Sequence, residues 1–398
     1  MSSKLPDGFL FGTATSATQI EGGCTTIDWW EFSHEEGRIA HGDVPDVACD
    51  HWNRWREDIE LQTRLGMNGY RLSIEWGRVE PEDGRFDDAA LDRYREEVKT
   101  LREVGIEPMV TLHHFSWPLW LHRRGGVLAP DMPDRFAAFT RRVANALGDH
   151  VKLWITINEP NVYLAQGFIL GVWPPAKKGD VRALPKIVVA LKRAHVRAYR
   201  ALHELVPGAS VGFAHHVRVA SPATERLRDR AAAMLLDRTF NRLFFGVPQD
   251  FLGVNYYSRD VVRFSLRKAT ELFADRGIAE GAPTSDLGWE IYPEGLGIVL
   301  RDLARQKKPI FVTENGIADA KDEKRGRFLE THLAEVAKAI DEGIDVRGYM
   351  HWSLLDNFEW AEGYHPRFGL YEVDYPTQAR KLRKSGERYA EIAKARRL

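Results

Sequence analysis

Short apolar segments and longer amphipathic segments alternate eight times along the chain. The apolar segments have the length of strands buried on both faces, and the amphipathic segments repeat their apolar residues at helical spacing. Predicted strands cover 9–13, 68–76, 108–114, 153–158, 211–216, 251–257, 310–314 and 346–353, and predicted helices cover 48–65, 88–104, 133–147, 184–205, 224–244, 294–306, 327–342 and 383–395. Strict alternation predicts a parallel sheet, and eight units predict an α/β fold in the form of a closed (β/α)8 TIM barrel.

The same pattern predicts one domain. A chain of 398 residues exceeds the usual size of a single domain, but (β/α)8 barrels routinely reach this length. No linker, internal repeat or low-complexity segment divides the sequence, so we expect a single barrel domain over 1–398. The first predicted strand is not followed by Gly-x-Gly-x-x-Gly, which weakens the case for a nucleotide-binding sheet.

Charge and cysteine content narrow the classes of partner and compartment. The chain carries 56 basic and 57 acidic residues, well mixed, so nothing in it resembles a basic surface for nucleic acid or an anionic membrane. Cys24 and Cys49 have no metal-ligand spacing and are expected to be reduced thiols of a cytoplasmic protein. The first residues lack an apolar signal core, and no run approaches the roughly 18 apolar residues of a membrane helix.

Two of the predicted strands end in a glutamate next to an asparagine. One segment, Thr-Ile-Asn-Glu-Pro, contains Glu159, and the other, Thr-Glu-Asn-Gly, contains Glu314. A single glutamate at a strand end is usually a solvated loop charge, but the repeated pattern argues against that role. The carboxyl ends of all barrel strands face one pocket, so the two carboxylates are predicted to meet there. Such a pair suits acid/base or acid/nucleophile hydrolysis of a glycosidic bond.

Other polar and aromatic residues fall at the same predicted rim. An arginine such as Arg71 near one carboxylate would keep it charged, while burial and its partner's charge would raise the pKa of the other. The chain has twelve tryptophans, several of them where a strand gives way to a loop, and indole faces suit the C–H faces of a sugar. Further rim residues are Gln19, Glu21, His113, His114, Phe115, Asn158, His215, His216, Asn255, Tyr257, His351, Trp352, Glu359 and Trp360.

Four motifs combine these residues in a characteristic order. They are Gln-Ile-Glu-Gly at 19–22, Thr-Ile-Asn-Glu-Pro at 156–160, Thr-Glu-Asn-Gly at 313–316 and Trp-Ser-Leu-Leu-Asp-Asn-Phe-Glu-Trp-Ala-Glu-Gly-Tyr at 352–364. The sequence resembles the family 1 glycoside hydrolases, the β-glucosidase and β-galactosidase group, from about Phe9 to Ile392. The resemblance implies a retaining, exo-acting β-glycosidase that forms a covalent glycosyl-enzyme intermediate without a cofactor or a metal.

The resemblance also implies a role for each matching residue. Glu314 matches the nucleophile and Glu159 the acid/base, while Arg71 and Tyr257 match residues that contact the nucleophile. Asn158 matches the residue that binds the 2-hydroxyl of the sugar, and the residues that bind the other hydroxyls are matched by Gln19, His114, Glu359 and Trp360. Trp352 matches the platform under the sugar ring. Trp173 and Asn255 match positions near the acceptor, and Phe368 matches a position in the pocket wall.

Comparison within the family narrows the implied substrate. Relatives acting on 6-phosphorylated sugars carry serine where Glu359 stands, so unphosphorylated β-D-glucosides, galactosides or fucosides are expected. Glu159, where thioglucosidases have glutamine, favours ordinary O-glycosides. Phe115 stands where tryptophan is more usual, and the chain is shorter than most members after the first strand and between about 217 and 249. The aglycone and the preferred sugar therefore stay open.

Two other functions remain open from the sequence alone. One is a metal-dependent hydrolase barrel, because histidines fall at three predicted strand ends and imidazoles converging there can hold zinc. These are His113, His114, His215, His216 and His351. The other is a sugar-binding pseudoenzyme, against which the intact Glu159 and Glu314 argue. The expected partner is a small β-glycoside or short oligosaccharide, not nucleic acid or a membrane, and homo-oligomer formation stays open.

Overall fold

The structure is a computed structural model that describes residues 5–397. Within this range the barrel strands are β1 (Leu10–Ala14), β2 (Gly69–Ser73), β3 (Glu107–His113), β4 (Leu153–Asn158), β5 (Ser210–His216), β6 (Leu252–Asn255), β7 (Ile310–Asn315) and β8 (Val346–Trp352). They close in the order β1-β8-β7-β6-β5-β4-β3-β2, and each strand is parallel to both neighbours. The predicted (β/α)8 TIM barrel is confirmed.

A long helix follows each barrel strand in the described part of the chain. These helices are α1 (His51–Leu65), α2 (Asp88–Glu103), α3 (Met132–Leu147), α4 (Leu184–Leu205), α5 (Leu227–Leu236), α6 (Pro293–Ala304), α7 (Arg325–Asp341) and α8 (Lys384–Ala395). Shorter helical segments lie in the loops, at Ala17–Ile20, Asp28–Ser33, Ala40–Gly42, Trp76–Val79, Leu119–Arg123, Gly126–Leu128, Pro160–Leu164, Ala165–Leu170, Asp237–Asn241, Leu266–Glu271 and Trp360–Glu362. The long helices form the outer layer of the barrel.

Two predicted elements extend at their carboxyl ends three or more residues beyond the observed ends. The second strand was expected to reach Trp76 but ends at Ser73, and Trp76 begins a short helix in which its indole stacks on Phe139 at 4.9 Å. The fifth helix was expected to reach 244 but ends at Leu236, and a π-helical turn follows over Asp237–Asn241. The side chain of Asn241 stabilises that turn, because its Nδ2 donates to Asp237 Oδ1 at 2.7 Å.

Two small sheets in the loops were not predicted. Val219–Pro222, Arg259–Phe264 and Ala274–Gly277 form a three-stranded sheet beyond β5 and β6, and Tyr371–Asp374 pairs antiparallel with Ala379–Leu382 beyond β8. Their strands are four to six residues long, and most of their residues are partly or fully exposed. They carry little of the apolar periodicity on which strand prediction depends.

The barrel interior is closely packed beneath the rim. Gly12 of β1 pairs with Gly69 of β2, and a Cβ at Gly12 would lie only 2.2 Å from the carbonyl oxygen of Gly69, so glycine is required there. The interior cluster includes Met109, Ile155, Phe251, Phe311, Met350, Trp352 and Phe368. The barrel is therefore a filled core that supports whatever lies at its carboxyl end.

A buried cluster of charges holds α1 against α2. His51 Nδ1 lies 2.8 Å from Asp58 Oδ2, and its Nε2 lies 3.0 Å from Glu97 Oε1. Arg93 donates to Glu97, and Arg380 donates to Asp58. Burial acts to lower the pKa of His51, but the charge of Glu97 and hydrogen bonds to both carboxylates raise it to about 9. The cluster is thus a charged network inside the outer layer.

Replacement of His51 by glutamine is expected to destabilise the protein by about 3 kcal/mol near neutral pH, because the cluster then buries uncompensated carboxylates. The pKa of folded His51 lies above its ordinary value of 6.5, so its contribution is complete below about pH 6.5 and is lost as pH rises through about 9. Denaturant unfolding of the wild type and His51→Gln should give free energies that converge between pH 6 and 9.5. A constant difference would contradict this, and His365→Gln, at an exposed position, is the control.

Candidate active site

The strand ends bring the two predicted glutamates to one pocket of about 390 Å³. Glu314 lies in β7, and Glu159 directly follows β4. Glu159 has left-handed backbone angles (φ 39°, ψ 57°), and it turns the chain from β4 into the short helix Pro160–Leu164. Its backbone N–H donates to the carbonyl of Ala214 at 2.8 Å, which fixes the turn against β5. A non-glycine residue in this conformation is uncommon.

Glu314 is held by one cation and one hydroxyl. Arg71 Nη1 forms an ion pair with Glu314 Oε1, and the hydroxyl of Tyr257 donates to Oε2 at 2.6 Å. Arg71 is fully buried and is itself fixed, because its Nη1 donates to the carbonyl of Thr313 and its Nη2 to Asn158 Oδ1. The carboxylate of Glu314 therefore has little freedom to move.

Burial raises the pKa of Glu314 to about 7; the charge of Arg71 opposes the rise and that of Glu159 adds to it. We expected Arg71 to keep one carboxyl fully charged, and burial partly offsets that effect. When the pair of glutamates binds one proton, the contacts from Arg71 and Tyr257 favour the negative charge on Glu314. Burial and Glu314 raise the pKa of Tyr257 well above its ordinary value, so its hydroxyl remains a hydrogen-bond donor.

Amide side chains connect the two glutamates. Asn255 Nδ2 lies 2.9 Å from Glu159 Oε1 and 3.0 Å from Asn158 Oδ1, and donates to both. Asn158 Oδ1 also accepts from Arg71, which contacts Glu314. Both asparagines are fully buried beneath the pocket. The two carboxyl groups therefore belong to one continuous hydrogen-bonded network.

His216 is a predicted rim residue without a predicted role in the site, and the structure places it against Glu159. Its Nδ1 lies 3.0 Å from Glu159 Oε1, and its ring lies nearly parallel to that of Tyr257 at 6.1 Å. His215 instead turns away from the pocket, and its Nε2 lies 3.0 Å from Gln249 Oε1. Alternation along a strand places neighbouring side chains on opposite faces, so one histidine of this pair had to share the face of the other rim residues.

Glu359 is a third carboxyl group that lines the pocket. Gln19 Nε2 donates to Glu359 Oε2 at 3.3 Å, and the side chain of Trp352 also hydrogen-bonds to Glu359. Burial and the nearby charge of Glu314 raise the pKa of Glu359 to about 8. At neutral pH this carboxyl group is therefore mostly protonated and can both donate to and accept from a ligand hydroxyl.

Flat rings stand beside these polar groups. The imidazole of His114 lies 5.9 Å from Trp352 and 6.1 Å from Trp360, at interplanar angles of 25° and 18°. Burial and the charge of Arg71 hold the pKa of His114 well below its ordinary value, so the ring is neutral. Asn158 Nδ2 lies 3.1 Å from His114 Nε2 and orients the ring. Neutral polar edges and flat faces together suit a polyhydroxylated ring.

Aromatic side chains form the walls of the pocket. Trp173 packs on Phe115 at 4.8 Å and on Trp360 at 5.6 Å, while Phe368 packs on Trp289 at 6.2 Å. Predicted site residues that line the pocket are Gln19, His114, Glu159, Trp173, Tyr257, Glu314, Trp352, Glu359, Trp360 and Phe368. Arg71, Asn158 and Asn255 lie beneath it and are fully buried.

The other strand-end histidines pack separately. The ring of His113 lies 4.1 Å from that of Trp117, and the ring of His351 lies 5.9 Å from that of Tyr389. Burial lowers the pKa of both histidines to about 3. Residues 5–397 contain no group of three histidine, cysteine or acidic side chains placed to hold a metal ion. The alternative of a metal-dependent hydrolase gains no support from this geometry.

Comparison with known proteins identifies the family. The sequence matches glycosyl hydrolase family 1 over residues 1–249 and 246–398. The chain belongs to this family. Beta-glucosidase A of Thermotoga maritima is 37% identical over 98% of both chains. A β-glycosidase from Pyrococcus horikoshii superposes with a TM-score of 0.94 at 40% identity, covering 100% of this chain and 96% of that one.

A relative with a bound sugar analogue is similar over its whole length. The β-glucosidase from Thermotoga maritima in complex with glucoimidazole has a TM-score of 0.92 at 36% identity, over 99% of both chains. The family 1 chain is therefore an O-glycoside hydrolase, a retaining and exo-acting β-glycosidase, as the sequence predicted. No helix in residues 5–397 is long and apolar enough to cross a membrane.

The raised pKa of Glu314 predicts that the acidic limb of the pH profile of kcat/KM lies near neutral pH. We expect kcat/KM to fall as pH drops through about 7, because the pKa of Glu314 lies above the ordinary 4.5 and its protonation removes a negative charge from the pocket. Initial rates with p-nitrophenyl β-D-glucoside from pH 4 to 9 measure the limb. Tyr257→Phe removes a hydrogen bond to the ionised form and should move the limb to higher pH. A wild-type limb centred near pH 4.5 would contradict the assignment.

Proposed function

We propose that Glu314 is the nucleophile and Glu159 the acid/base of this β-glycosidase. The observation that carries the proposal is the contact of Arg71 and Tyr257 with Glu314, which favours its ionised form. Glu159 is held instead by the neutral amide of Asn255 and by His216. The two glutamates thus occupy different environments, as two groups with different roles require.

In the first step, a carboxylate oxygen of Glu314 attacks the anomeric carbon as the bond to the leaving oxygen breaks. That oxygen takes the proton of Glu159, and an ester joins the sugar to Glu314. In the second step, Glu159 accepts a proton from water, and the resulting nucleophile displaces Glu314 from the sugar. The second inversion restores the β configuration, and Glu159 is protonated again.

We propose that the sugar lies between the catalytic pair and Glu359. Asn158 would bind the 2-hydroxyl, and Trp352 would lie under the ring. Gln19, His114, Glu359 and Trp360 would bind the remaining hydroxyls, Trp173 and Asn255 would lie near the acceptor, and Phe368 would close the wall. The contact of Glu359 with Gln19 supports an exo-acting site that these two side chains close at the non-reducing end.

We further propose that the whole chain, 1–398, is one catalytic domain that acts on free small glycosides in the cytoplasm. Cys24 and Cys49 are not bonded to each other, which fits a reducing compartment. The near-neutral net charge of −1 supports an uncharged substrate rather than nucleic acid or a membrane surface. No bound ion or cofactor is needed for the proposed steps.

Two variants test the catalytic roles separately. Glu159→Ala should lower the hydrolysis rate of p-nitrophenyl β-D-glucoside by about 10²–10⁴-fold, and much less for a dinitrophenyl glucoside, whose leaving group needs no proton. Glu314→Ala should lose activity on both. With azide, Glu159→Ala should release the β-glucosyl azide and Glu314→Ala the α-glucosyl azide, as identified by NMR. The reverse pairing of anomers would exchange the two assignments.

A panel of p-nitrophenyl glycosides tests the sugar. We expect turnover of β-D-glucoside, β-D-galactoside or β-D-fucoside with or without a chelator, and none of 6-phospho-β-D-glucoside, because a carboxyl at Glu359 leaves no cation for a phosphate. Glu359→Ser should weaken binding of the unphosphorylated sugars and relax the discrimination. Turnover of the phosphorylated substrate by the wild type, or inactivation by the chelator, would overturn the proposed substrate class.

A further inference from the structure

Glu75 is a buried carboxyl group that the proposed reaction does not use. It lies between β2 and the short helix Trp76–Val79, and it is 2% exposed. Its Oε2 accepts a hydrogen bond from the hydroxyl of Thr18 at 2.6 Å, and its Oε1 accepts one from the hydroxyl of Ser116 at 2.7 Å. Thr18 follows β1 and Ser116 follows β3, so the two carboxyl oxygens contact the loops of two different strands.

The loop after β1 carries Gln19 into the active-site pocket. Thr18 and Gln19 are successive residues of the short helix Ala17–Ile20; Gln19 lines the pocket, and Thr18 contacts Glu75. Successive side chains of a helix point about 100° apart, so a fixed Thr18 also fixes the direction in which Gln19 leaves the helix. Gln19 then reaches Glu359 across the pocket floor with a hydrogen bond of 3.3 Å. The contact between Thr18 and Glu75 therefore bears on the placement of Gln19.

The loop after β3 carries His114 and Phe115, which also line the pocket. Phe115 has a left-handed backbone (φ 70°), an uncommon conformation for a bulky residue, and it separates His114 from Ser116. The strand holds the turn at its first end, and the hydrogen bond from Ser116 to Glu75 holds it at the other. One carboxyl group therefore connects two loops that each place a polar side chain in the pocket.

Glu75 is itself fixed by further hydrogen bonds. Its backbone N–H donates to the hydroxyl of Tyr94 in α2 at 3.1 Å, and that hydroxyl donates to Glu21 at 2.7 Å. Glu21 also accepts from Arg78 at 3.0 Å. Burial raises the pKa of Glu75 to about 7, against the effect of its two hydroxyl donors. In so buried a position, water does not replace a lost hydrogen-bond partner, and the hydroxyls of both loops depend on this carboxyl group.

We propose that Glu75 is a positioning residue, which joins the loops after β1 and β3 and thereby orients Gln19 and His114 toward the hydroxyls of the sugar. The inference rests on the proposed function, which places these two side chains against the sugar. Displacement of a substrate-positioning group by about 1 Å can lower the rate by about 10²-fold. Loss of Glu75 would therefore affect the reaction through the two loops.

Deoxy analogues of p-nitrophenyl β-D-glucoside test the proposal, because each of them lacks one hydroxyl contact. On the parent glucoside, Glu75→Ala should lower kcat/KM by about 10–100-fold. On at least one of the 3-, 4- and 6-deoxy analogues the loss should be smaller by about threefold or more, because the contact that Glu75 supports is already absent. On the 2-deoxy analogue the loss should equal that on the parent, because Asn158 is held by Arg71 and Asn255.

Two further variants separate hydrogen bonding from a general loss of stability. In Glu75→Gln, the amide accepts from one hydroxyl and donates to the other, so most of the activity lost in Glu75→Ala should return. Glu80→Gln is the matched control, because Glu80 is 3% exposed but hydrogen-bonds to Trp76, and any loss should be equal on all analogues. If Glu75→Ala does not fold, Thr18→Val and Ser116→Ala remove one hydrogen bond each and should show the same dependence on the hydroxyls.

The outcomes distinguish this inference from the proposed function. Equal kcat/KM of the wild type on the parent glucoside and on every deoxy analogue would overturn the proposed sugar site itself. If the wild type discriminates but Glu75→Ala loses the same factor on every analogue, or loses nothing, only the positioning role is overturned. Glu75→Gln as impaired as Glu75→Ala would also overturn it, because the effect would then come from the charge of Glu75 and not from its two hydrogen bonds.

Discussion

The site depends on a guanidinium placed inside the barrel. Arg71 of β2 is fully buried, and its charge is balanced by Glu314 of β7. Its remaining N–H groups donate to Thr111 of β3, to the carbonyl of Thr313 and to Asn158 of β4. Burying an ion is costly unless it is paired and its hydrogen bonds are satisfied, and here three other strands supply the partners. The ion pair therefore holds the upper barrel in one arrangement.

The same pocket concentrates acid groups. Glu159, Glu314 and Glu359 line it together, and burial with mutual repulsion disfavours three negative charges. Protonation at Glu359 relieves part of that repulsion and leaves a carboxyl that can hydrogen-bond a sugar hydroxyl. The arrangement is unfavourable for folding but useful for catalysis, because the groups need little reorganisation when substrate binds. The apolar interior and the glycine contact of β1 with β2 provide the rigid support beneath.

Much of this could be predicted from the sequence because a barrel gathers strand ends. Glu159 and Glu314 are far apart in the chain, yet the β–α alternation alone brings them to one rim. The π-helical turn after α5 could not be predicted, since the apolar residues of this segment are spaced as in an α-helix. The turn is stabilised by a side-chain hydrogen bond from Asn241. The small sheets could not be predicted, because their short strands are stabilised by pairing with neighbouring strands. His216 could be placed at the rim from the end of β5, but its contact with Glu159 depends on the turn that follows β4.

The two ends of the substrate site differ in how they are built. At one end Asn158, Glu314 and Trp352 belong to barrel strands, where ladder hydrogen bonds on both sides restrict movement. The end beside Glu159 and His216 is built from helical turns, with Leu170 and Phe240 held by side-chain packing rather than by a ladder. A substitution there changes the shape of one wall without touching the hydrogen bonds of Arg71.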